Sequence, residues 1–374
     1  MSFFVMSFCD LVGIGVDRLK GDASLSEAAR QLIPLIPSAV FVWFFILSIP
    51  VGIMQDRIGK RNMLNIGIII TAIGLLVSFF FTPFIAMLSG FALLGIGNTI
   101  VQVSANPLLV DVVPSDKKSS FLSFSQFVKA VGSMIAPPFA AWLALKFGDW
   151  KLMFLVFGVV SALTAIWLSA VKIEETRNTE KRATFASSFK LLGIGFIAMM
   201  VVGIFLVVGI DVGVNAVSGQ FFMSKYQLAS DSTFAQSARS VYFFGKMLGA
   251  FLGAIMLVKL ASRTFFLWTS LASVVAILAL IFVPVQMGGM IVMFIIGLSV
   301  ANIFPLIFSL TVEKYSDRVN EISGLMIMAV SGGAVIPSLI LWIFDKIDIT
   351  TGMFVLVISA VYLLFLSVFA SKKS

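Results

Sequence analysis

The sequence predicts an all-α membrane protein of twelve transmembrane helices arranged as two six-helix halves, and three observations carry that reading. Of 374 residues, 60% are hydrophobic and only 12% are charged, whereas a soluble domain has about half and about a quarter. The apolar residues gather into windows of about 20, the number a helix needs to cross a bilayer. Short polar turns separate the windows, and one longer polar stretch divides the chain in two.

The windows fall near 2–19, 31–54, 63–82, 84–112, 120–146 and 151–171, then 190–222, 236–258, 264–283, 287–311, 322–344 and 350–370. Residues 172–189 (KIEETRNTEKRATFASSF) are polar and mixed in charge. The expected organisation is therefore an N-terminal bundle 1–171, a cytoplasmic linker 172–189 and a C-terminal bundle 190–374. With both termini in the cytoplasm, sixteen Lys and Arg residues fall in inside loops and eight outside, the asymmetry that the positive-inside rule requires. The first window begins almost at Met1 and is interrupted by Asp10. It lacks the basic leader and small-residue cleavage site of a secretory signal, so it reads as a span; a start upstream of Met1 stays open.

Composition also excludes whole classes of chemistry. The chain has 38 Phe and no His, which removes most zinc, haem and histidine-based catalytic schemes. Any pH-sensitive step must use a carboxylate or a shifted lysine. The single Cys9 permits no internal disulfide. A net charge of +8 lies in short runs between apolar windows, so it reports membrane topology and not nucleic-acid binding. No nucleophile–base pair, metal cluster or phosphate loop is visible, so the reading contains no catalytic residue, no metal, no cofactor and no enzyme.

Segments 95–137 and 297–337 echo each other: GIGNTIVQVSANP ends at Pro107 and GLSVANIFP at Pro305, then MIAP at Pro137 and AVIP at Pro337. A half-length repeat of this kind indicates duplicated bundles with a substrate site near the bilayer midplane. The stretch after the second span, Gly52 to Arg61, reads GIMQDRIGKR. Gly52 allows close helix approach, and Asp56, Arg57 and Arg61 are expected to form a cytoplasmic ion-pair latch between bundles, stabilising one state and breaking in the other. The plainer alternative is a charged turn that stops two helices.

Four charges lie inside spans: Asp10 and Lys129 in the first half, Asp211 and Lys246 in the second. Each costs about 3 kcal/mol on insertion scales, so a structural salt bridge, a watered surrounding or a transport role must offset it. Asp17 and Asp111 lie nearer span ends, where solvation is cheap, and receive no transport role. Amides gather at similar depth: Asn98, Gln102 and Asn106 in the fourth span, Gln126 in the fifth, Asn215 in the seventh and Asn302 in the tenth. Gln102 and Asn106, four apart, share a helix face and offer donors and acceptors to a hydroxyl-rich ligand. Hydrogen bonding between neighbouring helices is the alternative use.

The stretch Gly52–Arg61 resembles the signature loop of the major facilitator superfamily, G-x-x-x-D-R-x-G-(R/K)-(R/K). The fourth-span run from Gly95 through Gln102 and Asn106 to Pro107 resembles G-x-G-x-x-x-x-(E/Q)-x-x-A-N-P of that superfamily's fucose/proton symporter and glucose/galactose porter branch. Residues 297–310 and 323–337 look like the branch's tenth and eleventh spans. The resemblance implies the superfamily's fold and a monomeric inner-membrane sugar porter working by alternating access. Its partners are then a monosaccharide, a proton or sodium ion and the bilayer. By position, it implies substrate contact at Gln102, Asn106, Lys129 and Asn215. Gln102 stands where the fucose symporters have a glutamate, and Lys129 where they have an asparagine. An amide cannot release a proton, so Asp10 and Asp211 are the remaining ion-coupling candidates. Lys129 has two uses: receiving the carboxylate of a uronic or sialic acid, or neutralising Asp10 as a coupling partner, the second being slightly preferred. The competing function on the same fold is a proton-driven exporter of drugs or metabolites.

Overall fold

The computed structural model describes residues 1–20, 26–33, 36–81, 84–175, 183–229 and 232–372. Residues 176–182, most of the charged part of the expected linker, lie outside the described residues, as does Lys373. The helices in chain order are α1 (Ser2–Met6), α2 (Leu11–Lys20), α3 (Glu27–Leu32), α4 (Ile36–Ile58), α5 (Lys60–Phe80), α6 (Phe84–Val112), α7 (Lys118–Phe147) and α8 (Leu152–Ala170). There follow α9 (Phe185–Lys190), α10 (Gly195–Lys225), α11 (Thr233–Met256), α12 (Ser262–Phe282), α13 (Gln286–Val300), α14 (Ile303–Lys314), α15 (Val319–Met328), α16 (Gly332–Lys346) and α17 (Ile349–Lys372).

Among the described residues, ten helical stretches are long and apolar enough to cross a membrane. In bilayer solvent a backbone must satisfy its own hydrogen bonds, which is why apolar runs become helices and not strands. Two of the twelve expected spans fall outside that set. The first is broken into α1, a 3-10 turn over Ser7–Asp10, and α2. The other, α11, is 24 residues long but carries Arg239 and Lys246, which lower its apolarity. Two more spans are interrupted: α13 and α14 meet at Ala301 and Asn302, and α15 passes into α16 through a 3-10 turn at Ala329–Ser331. Such breaks persist in membrane helices where neighbouring polar groups take up the freed backbone.

Contacts divide the chain into two compact units. The first holds residues 1–112, 128–190 and 317–328; the second holds 113–127, 191–316 and 329–374. Within the first unit α5 and α6 cross closely, since a Cβ on Gly74 would stand 2.7 Å from the Gly90 carbonyl and one on Gly67 would stand 2.9 Å from the Gly97 carbonyl. Small residues let the backbones touch where no hydrophobic force drives helices together. Segment 317–328 belongs here through Ser323, whose hydroxyl donates to the Val103 carbonyl at 2.7 Å. In the second unit segment 113–127 is fastened by serines: Ser119 lies 2.7 Å from Ser309 and 2.8 Å from Ser262, and Ser120 donates to the Ala254 carbonyl at 2.5 Å. Large apolar side chains such as Phe45, Ile166, Phe282 and Ile358 are exposed, as lipid-facing positions are.

Candidate functional site

The signature stretch is mostly helix. Gly52 to Ile58 form the last turns of α4, Lys60 and Arg61 open α5, and Gly59 alone turns the chain, at φ 91. A side chain would strain that conformation. Gly52 faces α15: a Cβ there would stand 2.8 Å from the Asn320 carbonyl, and one on Gly324 would stand 3.0 Å from the Ser48 carbonyl. The two glycines therefore permit a reciprocal close crossing, within one helical turn of Asn320 and Glu321.

That cluster differs from the expected ion-pair latch. Asp56 accepts from the neutral Asn320 amide and, at 2.9 Å, from the backbone N–H of Ala183. Glu321, buried, accepts from the Ser187 hydroxyl on α9 and is forked by Arg318 at 2.7 and 3.0 Å. Arg57 is exposed and forms no ion pair within 4.0 Å among the described residues. Arg61 donates to the Leu168 carbonyl at 2.9 Å and the Ser169 carbonyl at 2.6 Å, at the C-terminus of α8. A cation is favoured there by the helix dipole, so Arg61 braces α5 against α8. Beside it Lys60 pairs with Asp111 at 2.5 Å, the two side chains being 5% and 7% exposed. Asp111 is thus buried, contrary to its expected solvation, because α6 continues through it beside α5. Lys60, Asn320, Glu321 and Ser187 escaped sequence reading. The motif position of Lys60 was a usable signal; the other three carry none that spacing reveals.

At mid-span the first unit carries a chain of amides along one face of α6. Asn98 donates to the Met6 carbonyl at 2.9 Å, Gln102 donates to Asn98 Oδ1 at 2.8 Å, and Asn106 donates to the Gln102 carbonyl at 3.1 Å. A carbonyl only accepts, so Met6 fixes the direction of the first two side chains. Gln102 Oε1 is left accepting nothing from the described residues, and the buried Asn106 Oδ1 has no partner. Asn98 and Asn302, the latter bonded to the Gly249 carbonyl at 2.7 Å, act as interhelical fastenings. Asp10 is exposed and accepts from Ser133 at 2.5 Å. Lys129, one turn before Ser133 on α7, is half-buried. The slightly preferred Lys129–Asp10 ion pair is absent among the described residues: Ser133 occupies the carboxylate.

In the second unit the charges meet. Asp211 on α10 binds Lys246 at 2.6 Å and the Tyr242 hydroxyl at 2.6 Å, both from α11. The Asp211 and Lys246 side chains are 26% and 20% exposed, so their attraction is screened less than in bulk water. Tyr242 was not singled out, although it lies four residues before Lys246 and hence on its face of the helix. Asn215, one turn beyond Asp211, lends its carbonyl to Arg239 at 3.2 Å, and its buried Oδ1 has no hydrogen-bond partner among the described residues.

Comparison with known proteins agrees with this architecture. A glucose/galactose transporter of Brucella abortus is 26% identical over 99% of this chain and 92% of its own length. Among solved structures, the E. coli fucose:proton symporter superposes with a TM-score of 0.85 at 17% identity, over 99% of this chain and 97% of that one. A proton:xylose symporter bound to 6-bromo-6-deoxy-D-glucose superposes with a TM-score of 0.76 at 16% identity, over 100% and 93%. The family model of the Major Facilitator Superfamily matches residues 3–338, and the chain belongs to that superfamily.

Proposed function

We propose that the protein is a sugar symporter that takes up a monosaccharide by alternating access and is driven by protons. The observation that carries this reading is the Asp211–Lys246–Tyr242 cluster, an ionisable cluster at mid-helix, in a chain that has a glucose/galactose transporter among its full-length relatives. Asp211 is the proton acceptor. Charged, it is held by an ammonium and a phenol; protonated, it releases Lys246, and the cost of holding a charge in the span changes with the state of the site. Asp10 is a second coupling candidate. Gln102, Asn106 and Asn215 supply the unpartnered acceptors for sugar hydroxyls. The halves 1–171 and 190–374 form the two moving bundles, joined by the cytoplasmic linker 172–189, and the protein works as a monomer in the inner membrane with both termini inside. Gly52, Asp56, Arg57 and Arg61 serve the cytoplasmic gate.

The test is uptake into proteoliposomes under an imposed pH gradient, with labelled glucose, galactose and fucose. Accumulation that a protonophore collapses supports the reading. Accumulation that follows a sodium gradient instead replaces the ion, and net expulsion of substrate replaces symport with export.

A further inference from the structure

The two units treat their mid-span ammonium groups differently. Lys246 has a carboxylate at 2.6 Å. Lys129 has none within 4.0 Å among the described residues, although Asp10 is near enough for both groups to act electrostatically on buried Cys9. The Asp10 carboxylate is turned to Ser133, whose hydroxyl donates to it at 2.5 Å while lying 3.1 Å from the Lys129 carbonyl. Lys129 is half-buried on α7, on the face that meets the first span, where Gly132 leaves room for Ser7. An ammonium within a span requires an anion, a hydrogen-bonded network or water to offset its insertion cost. Here the described residues place no carboxylate within 4.0 Å of the ammonium.

We infer that the transported sugar supplies it: the substrate class is an acidic sugar, a uronic or sialic acid, whose carboxylate is received by Lys129. This rests on the sugar-symport reading and narrows its substrate. An ammonium is a point charge that tolerates several carboxylate orientations, which suits a ligand that must bind and leave. Ser133 shares the face of Lys129, four residues after it, and its hydroxyl oxygen offers an acceptor to a ring hydroxyl beside the carboxylate. Discrimination follows from burial, because a neutral hexose in the same place leaves the ammonium without its counter-charge.

The experiment is counterflow in proteoliposomes containing the full chain, with labelled glucose and galactose as neutral probes and glucuronate, galacturonate and N-acetylneuraminate as acidic ones. Wild type, Lys129→Asn and Lys129→Arg are compared. In wild type an acidic sugar is expected to exchange and to compete about tenfold better than its neutral parent. Lys129→Asn is expected to lose that preference, and Lys129→Arg to retain most of it. Hexose exchange with no acidic sugar accepted overturns the inference and leaves sugar symport standing. Exchange of neither class by a monodisperse wild type overturns both. The wild-type competition does not depend on any variant folding, and an acidic preference unchanged in a folded Lys129→Asn removes the role of Lys129.

Discussion

In the mid-span of the first unit, amides bond to one another in a row, a carboxylate leans on a serine, and an ammonium has no carboxylate within 4.0 Å among the described residues. In the second unit, carboxylate, ammonium and phenol share one knot. On the proposed reading, the difference means that the two units divide the work. A directional row of amides with unpartnered acceptors is suited to reading hydroxyl groups, and it has nothing to titrate at Gln102. An ion pair at 2.6 Å with a quarter of its surface exposed is suited to exchanging a proton, because one protonation changes the whole balance of the cluster.

Four measurements break or sharpen that contrast. The largest effect is expected from Asp211→Asn: gradient-driven accumulation falls at least about tenfold, while counterflow, which needs no net proton movement, survives. Accumulation at wild-type level would move the coupling duty to Asp10. Next, Lys246→Met removes the ammonium bound to the Asp211 carboxylate and is expected to destabilise by about 2 kcal/mol, somewhat below the range for fully buried pairs. The double variant Asp211→Asn with Lys246→Met recovers most of that loss in thermal melting, and a purely additive cycle would mean the pair is not coupled. In the first unit, Asp10→Asn and Ser133→Ala each remove one hydrogen-bond interaction and should cost under about 1.5 kcal/mol. If Asp10→Asn destabilises as much as Lys246→Met, the contrast between the units is lost.

The smallest effect lies outside both clusters. Asp348 opens α17, accepting from the Thr351 N–H at 2.9 Å and from its hydroxyl at 2.5 Å. The Thr351 hydroxyl bond, then the backbone bond, holds its carboxyl below the ordinary range. A depressed folded value means stability that is present above the unfolded pKa and lost as pH falls through the folded one. Asp348→Ala should therefore lower the melting temperature slightly at neutral pH, with the difference closing in acid. A constant difference across pH would show that the charge contributes nothing.

The helical architecture was legible because bilayer solvent writes long apolar runs that few other structures tolerate. Gly52 was legible too, standing where two backbones approach, whereas the turn at Gly59 was not. The partners of Asp56 were not, since Asn320 and Ala183 lie far off in sequence and one contact is a main-chain N–H. Asp111 was misjudged because a position near a span end says nothing about which helix covers it; Lys60 does, at 2.5 Å. The Asp211–Lys246 pair was within reach of reasoning from buried charge. Its opposite number was not, because a serine one turn away on α7 can take a carboxylate as readily as a lysine does, and only side-chain placement decides between them.

The break in the first span has a mechanical consequence. Asn98 grips the carbonyl of Met6, the residue just ahead of the 3-10 turn that ends at Asp10. Gln102 in turn holds Asn98. In the proposed transport cycle, a sugar hydroxyl bound at Gln102 competes for the amide that holds Asn98, and so acts on the hydrogen bond to the residue that precedes the turn.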